Sequence, residues 1–389
     1  MKSLYSFLVM ALMALPVSAQ KNLSWVGTFA TAAEFAGKSD LPQKTNLANT
    51  SLREIVQVSL GGKNLQLQFS NQFSKQPVEI KSVYIADSKD SCDIDAKSAT
   101  YLKFNGKKSV VIPAGGIVYC DELKYDLKPL QRLTITICYG EQVPTNATAH
   151  RGSRTTSYIA QGTVKPGMKF QTFEKLDHWY NIAQINVRSK AEAIAILGNS
   201  ITDGRGSTTN LQNRWPDRMA LALNGGVGVL NLGIGGNCVV QYGLSEPAMK
   251  RFDRDILGQK GVKKLIIFEG TNDIGISNGN YEHVADTMIA CYKVLIAKAR
   301  AHGMKVYGGT ITPTKGNGWF SFFHEAIRQT VNAWIRTPGN FDGVIDFDKM
   351  ARDPQDEQKL KAEYSDDWLH LNPKGYDEMG KFAAKYFEK

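Results

Sequence analysis

The chain has 389 residues, enough for two domains with sizeable cores. Its formal charge is +10, but the lysines and arginines are scattered, with no run of five and no nucleic-acid motif, which argues against a nucleic-acid partner. The 5 cysteines fit neither a zinc spacing nor a dense disulfide framework, so metal-held and disulfide-stapled folds are set aside.

At the amino end, Lys2 precedes an apolar run from Leu4 to Val17 that closes on Val17-Ser18-Ala19. This pattern predicts a signal peptide over residues 1–19 with cleavage before Gln20. The run is too short to span a bilayer comfortably, no other stretch is long enough, and the first cysteine, Cys92, is far from the cleavage point. The mature chain is therefore expected in the periplasm or outside the cell, without membrane insertion. An odd cysteine count leaves at least one thiol unpaired; single buried thiols are expected, with one bridge among Cys92, Cys120 and Cys138 as the alternative in an oxidising compartment.

Residues 22–188 carry short runs of period two. Val56, Val58 and Leu60 share one face, and so do Leu65, Leu67 and Phe69, and Leu133, Ile135 and Ile137. Gly61-Gly62, Asn105-Gly106 and Gly115-Gly116 punctuate them at hairpin-like spacings. These features predict an all-β sandwich, jelly-roll-like, as an accessory domain. Arg151-Gly152-Ser153-Arg154-Thr155-Thr156-Ser157 reads as a polar, solvated loop, with reach into a neighbouring cleft as the alternative.

From residue 189 the pattern changes. Ala193-Ile194-Ala195-Ile196-Leu197 predicts a strand buried on both faces, ended by Gly198. Further strands are read at 227–232, 264–268, 305–309 and from Val344, with helices at 214–223, from Tyr281 to Ala299, up to Trp334, and after Asn372-Pro373. Residues 189–389 are thus expected to form an α/β fold, a three-layer α/β/α sandwich on a five-stranded parallel sheet. Ser200, Gly236 and Asn272 then all follow strand ends on one sheet edge, where open parallel sheets place their ligands.

That convergence has a chemical reading. Acyl transfer needs a nucleophile, a base, a group that orients the base, and donors for an oxyanion. Ser200 is the nucleophile candidate, and Asp367-Trp368-Leu369-His370 offers the orienting carboxylate and the base on one turn. The oxyanion donors would be the Ser200 and Gly236 backbone N–H groups and the Asn272 side chain. Trp368, beside them, is either a sugar-stacking wall or a packing residue. No H-E-x-x-H, P-loop or full G-x-G-x-x-G is present, so neither metal nor cofactor is expected.

Gly198-Asn199-Ser200-Ile201, Gly236, Gly270-Thr271-Asn272-Asp273 and Asp367-Trp368-Leu369-His370 resemble the four blocks of the SGNH (GDSL-like) hydrolases, a flavodoxin-like fold. Trp25-Val26-Gly27-Thr28, Ser51-Leu52-Arg53, Leu67-Gln68-Phe69-Ser70-Asn71, Arg251-Phe252-Asp253-Arg254-Asp255 and Val331-Asn332-Ala333-Trp334-Ile335-Arg336 resemble the secreted two-domain members of that family. This branch includes acetylxylan-esterase-like enzymes. The resemblance implies a serine esterase that removes O-acetyl groups from plant polysaccharide such as xylan, with acetylated poly- or oligosaccharide as its partner. A lipase, phospholipase or broad carboxylesterase on the same fold is the nearest alternative, and a non-catalytic carbohydrate-binding protein a more distant one. Two positions depart from the family pattern: Asn199 where Asp usually precedes the serine, and Leu371 where Pro commonly follows the histidine. The oligomeric state is left open by the sequence.

Overall fold

The computed structural model describes residues 23–388, so the signal peptide expected over residues 1–19 lies outside the described residues. Five parallel strands form one sheet: β1 (Ala193–Gly198), β2 (Gly228–Gly233), β3 (Val262–Phe268), β4 (Lys305–Gly309) and β5 (Gly343–Ile345). Their order is β2-β1-β3-β4-β5, so the direction of winding reverses between β1 and its two neighbours. A crevice opens at such a reversal, outside the carboxyl ends of the strands.

Side chains alternate across β1 and sort into two cores. Ala193, Ala195 and Leu197 pack with the long helix Tyr281–Ala301 and with Phe322–Arg336, through Met288, Leu295, Val331 and Ile335 among others. Ile194 and Ile196 enter a second cluster with Trp215, Met219, Tyr376 and Met379 from helices Trp215–Ala222 and Pro373–Ala384. Helices therefore cover both faces of the sheet. The helix starts follow from capping: Ser321 accepts from the His324 N–H, and Asn372 accepts from the Gly375 N–H with Pro373 in the first turn.

Before β1 the chain is antiparallel. One sheet pairs Ser24–Ala30, Ile182–Ser189 and Gly62–Ser70 in that order, and a second pairs Ser157–Gln161, Thr50–Gln57, Arg132–Tyr139 and Val78–Asp87. Leu65, Leu67 and Phe69 from the first, and Leu52, Val56, Ile135 and Ile137 from the second, are buried in a shared core. The period-two reading expected a polar outer face on these strands, yet Thr134 and Thr136 are buried too. The reason is a covering layer: Val164 and Phe170 pack with Ile55 and Tyr158, and the Arg53 guanidinium lies 4.3 Å from the Phe170 ring centre. All five cysteines are free thiols, so no bridge joins Cys92, Cys120 and Cys138.

The antiparallel half and the parallel sheet are packed without a spacer. Ser189 ends one strand and Ala193 begins the next. The core that holds Leu65 and Ile135 also holds Leu230, Leu232 and Ile256. Two glycines meet at the seam: a Cβ on Gly228 would lie 2.1 Å from the Gly27 carbonyl oxygen. The Ser59 hydroxyl accepts from the Val229 N–H at 2.9 Å across the same seam. Gly228→Ala must push the two halves apart, and a loss of roughly 1–3 kcal/mol in unfolding free energy is expected by urea denaturation. An unchanged midpoint and slope would show that the seam yields freely.

Candidate active site

The strand that ends at Gly198 turns directly into a four-residue helix, α1 (Ser200–Asp203). Asn199 caps it, its side-chain oxygen accepting from the Ile201 N–H at 3.0 Å. Ser200 is the first helical residue, so its own N–H has no intrahelical acceptor. Its Oγ lies 2.9 Å from Nε2 of His370. The other ring nitrogen, Nδ1, lies 2.7 Å from Oδ2 of Asp367, while Oδ1 of Asp367 accepts from the backbone N–H groups of His370 and Leu369. The turn is closed by Trp368 in the left-handed region (φ 61°) and by a hydrogen bond from the Ser365 hydroxyl to the His370 carbonyl. A carboxylate, an imidazole and a hydroxyl from segments 170 residues apart thus form one hydrogen-bonded chain.

The electrostatics suit a base. Burial lowers the pKa of His370 most; Asp367 opposes that, and the guanidinium groups of Arg205 and Arg154 push it down further, with a net fall below the ordinary value. For Asp367, burial works to raise the pKa, but hydrogen bonds from the His370 ring and from the turn's N–H groups outweigh it and hold the carboxylate ionised.

Gly236 lies on the loop after β2 with φ 69°, a conformation glycine adopts without strain. The end of β2, just before it, packs onto α1: a Cβ on Gly233 would lie 2.4 Å from the Asp203 nitrogen. Asn272 sits in the first turn of the short helix Thr271–Gly275 after β3, and its Nδ2 donates to the carbonyl of Asn237, the neighbour of Gly236. Asp273 beside it accepts from the N–H groups of Val239 and Val240. The loops after β2 and β3 are thereby tied to one another next to Ser200.

Residues 196–378 match the model of the GDSL-like Lipase/Acylhydrolase family. The match lies within the α/β half of the chain. A search of curated proteins gives no match. Among solved structures, the chain is similar to a GDSL-like lipase from Bacteroides thetaiotaomicron, at 21% identity over 50% of this chain and 87% of the other, with a TM-score of 0.40. It is also similar to Est24, a carbohydrate acetylesterase from Sinorhizobium meliloti, at 16% identity over 50% of this chain and 98% of the other, TM-score 0.40.

Behind the candidate site lies a buried network that the sequence reading did not assign. Arg251, fully buried, donates to the carbonyls of Gly198 and Leu232 and to the side chain of Asn237, and pairs with Asp255. Its guanidinium also faces Glu269 at 3.6 Å. Burial raises Glu269 to a pKa of about 8, against the pull of Arg251, while the Asn199 amide lowers it. This accounts for Asn199. An aspartate there would set a second carboxylate against Glu269, whereas the amide can cap α1 with its oxygen and face Glu269 with its nitrogen. The only sequence signal was the Arg251–Asp255 segment, noted for its resemblance alone.

The loop read as solvated does reach the site. Ser153, Thr155 and Ser157 are buried, and Arg154 pairs with Asp203 of α1. The loop is held because its polar groups find partners across the seam, such as Asn210, whose side chain accepts from the Thr156 N–H. Trp368 is half-buried, with the Lys359 ammonium 4.0 Å from its ring centre and Gly316 against its edge. These contacts describe packing.

Glu269 gives a pH test of this network. Its folded pKa of about 8 exceeds the ordinary 4.5, so its share of stability is complete below that range and drains away as pH rises to about 8. Glu269→Gln should flatten the Tm–pH profile across this window. Asn199→Asp should steepen the loss above it, where both carboxylates are charged. A profile of the same shape in all three proteins would contradict this account.

Proposed function

We propose that this chain is a secreted serine esterase that removes small acyl groups, foremost O-acetyl groups, from polysaccharide. The observation that carries the esterase reading is the unbroken hydrogen-bonded chain from Asp367 through His370 to Ser200. In this reading His370 Nε2 takes the proton as Ser200 Oγ attacks the ester carbonyl, and Asp367 holds Nδ1–H and stabilises the imidazolium. The Ser200 and Gly236 N–H groups and the second hydrogen of Asn272 Nδ2 receive the oxyanion. His370 then protonates the departing sugar oxygen to give the free hydroxyl, and water, activated by the same ring, releases the acid from the acyl-enzyme.

The polysaccharide reading rests on the resemblance of residues 22–188, as a β-sandwich domain, to that of the acetylxylan-esterase-like branch, with 189–389 as the hydrolase domain. Export rests on the pattern at residues 1–19. A second reading, hydrolysis of longer acyl esters, is favoured by a different observation: Leu211, Leu244, Ile276, Phe322 and Phe323 are exposed on segments that follow β1, β2, β3 and β4.

Purified mature protein is expected to hydrolyse p-nitrophenyl acetate, with Ser200→Ala lowering kcat by roughly 10³-fold or more and Asn272→Ala by roughly 10²–10³. Because His370 must be neutral and its pKa is lowered, kcat/KM should fall with acid only below about pH 6.5. Acetate release from acetylated xylan, set against palmitate esters, separates the two substrate readings; a preference for palmitate would overturn the first.

A further inference from the structure

The helix that carries Ser200 has four residues, too few to hold its own geometry. Its last residue, Asp203, is buried, and a carboxylate is costly to bury without partners. Both partners come from the antiparallel half. His150 Nε2 lies 2.8 Å from Asp203 Oδ1, and Arg154 Nη2 lies 3.2 Å from Oδ2. The backbone between them is pressed onto the same carboxylate: a Cβ on Gly152 would lie 2.0 Å from Oδ2.

The surroundings of His150 favour its cation. Its Nδ1 faces the Ala32 carbonyl at 3.0 Å and Glu34 at 3.6 Å, so both ring nitrogens point at acceptors. Burial works against the charged ring, but Asp203, Glu34 and the Ala32 carbonyl prevail and raise its pKa. The ring also stacks on Trp179, 5.9 Å between centres. The same loop grips the chain just after α1: Asn210 donates its N–H to the Arg154 carbonyl, and Gln212 donates to the Thr155 hydroxyl. Between α1 and that point, Gly206 packs against His370, a Cβ there lying 3.6 Å from the histidine Cβ.

We infer that His150 and Arg154 are positioning residues for the reaction, so that the antiparallel half sets the aim of Ser200 and the basicity of His370. This rests on the esterase reading above. His150 acts through Asp203, locking the far end of α1 so that Oγ stays on line with Nε2. Arg154 does the same and adds its charge. The charged groups facing His370 are Asp367, Arg205 and Arg154, and only Asp367 favours the imidazolium.

The test uses the full-length mature chain. Arg154→Gln removes a cation that disfavours the imidazolium, so the acid limb of kcat/KM should move to higher pH by a few tenths of a unit, a shift that looser packing alone would not give. An NMR titration of the His370 ring should show the same shift, whether or not the protein hydrolyses the chosen ester. His150→Ala should lower kcat by roughly 10–100-fold with little change in KM. His150→Gln, whose amide can donate to Asp203, should recover part of that loss. Hydrolysis by the wild type, with Arg154→Gln keeping its acid limb and His370 titration, would overturn the inference and leave the esterase reading standing. A wild type that hydrolyses none of the esters would sink the esterase reading instead, and the His370 titration would then decide the electrostatic claim by itself.

Discussion

Everything in the site hangs from the carboxyl edge of three parallel strands, and a single buried guanidinium holds that edge together. Arg251 takes the last carbonyl of β1 and the next-to-last of β2, and faces Glu269 just after β3. Strand ends are where a ladder runs out of partners, so carbonyls there need donors from elsewhere. A planar group with five N–H donors can serve several at once, as a lysine cannot. By also holding Asn237, Arg251 extends the same control to the loop that presents Gly236, and through the Asn237 carbonyl to Asn272. The elements expected to cradle an oxyanion are thereby aligned to the strand that aims Ser200.

The candidate site could be read in the sequence because its parts lie close together along the chain. Asp367 and His370 share one turn, Asn199 and Ser200 one cap, and the aliphatic run before them forces a doubly buried strand. The alternating runs of the first half were legible for the same reason. What could not be read was pairing across the fold. His150 and Asp203 are 53 positions apart in the sequence, and nothing in either segment says that they meet. The 151–157 loop is polar in composition, and polar loops are ordinarily solvated; it is buried only because another half of the protein supplies its partners. The outer faces of the antiparallel strands were misread likewise, since the cover over Thr134 and Thr136 comes from Val164 and Phe170 in an irregular segment.

The buried charges follow one rule. Asp203 is flanked by two cations, Asp348 by Arg328 and Arg336, Asp255 by Arg251 and Arg254. Like Glu54 and Asp273, Glu269 departs from it. Its one cation stands 3.6 Å away and is spent mainly on backbone carbonyls, so desolvation wins and the carboxyl holds its proton well above the usual range. A neutral carboxyl there can lie beneath the Ser200 turn without adding negative charge where the proposed oxyanion would form. Asn199 fits the same economy, since it caps α1 with an uncharged oxygen.

The relation between the two halves follows from where the seam runs. An accessory module joined by a linker would leave its partner's core intact when removed. Here one apolar cluster passes from Leu65 and Ile135 through Val26 to Leu230 and Ile256, and the backbones of Gly27 and Gly228 touch. Taking away residues 24–189 would expose one side of β2 and strip the Asp203 carboxylate of its ion-pair partners His150 and Arg154. Both losses fall on the elements next to Ser200. The antiparallel half is therefore built into the support of the site, whatever it also contributes to the choice of substrate.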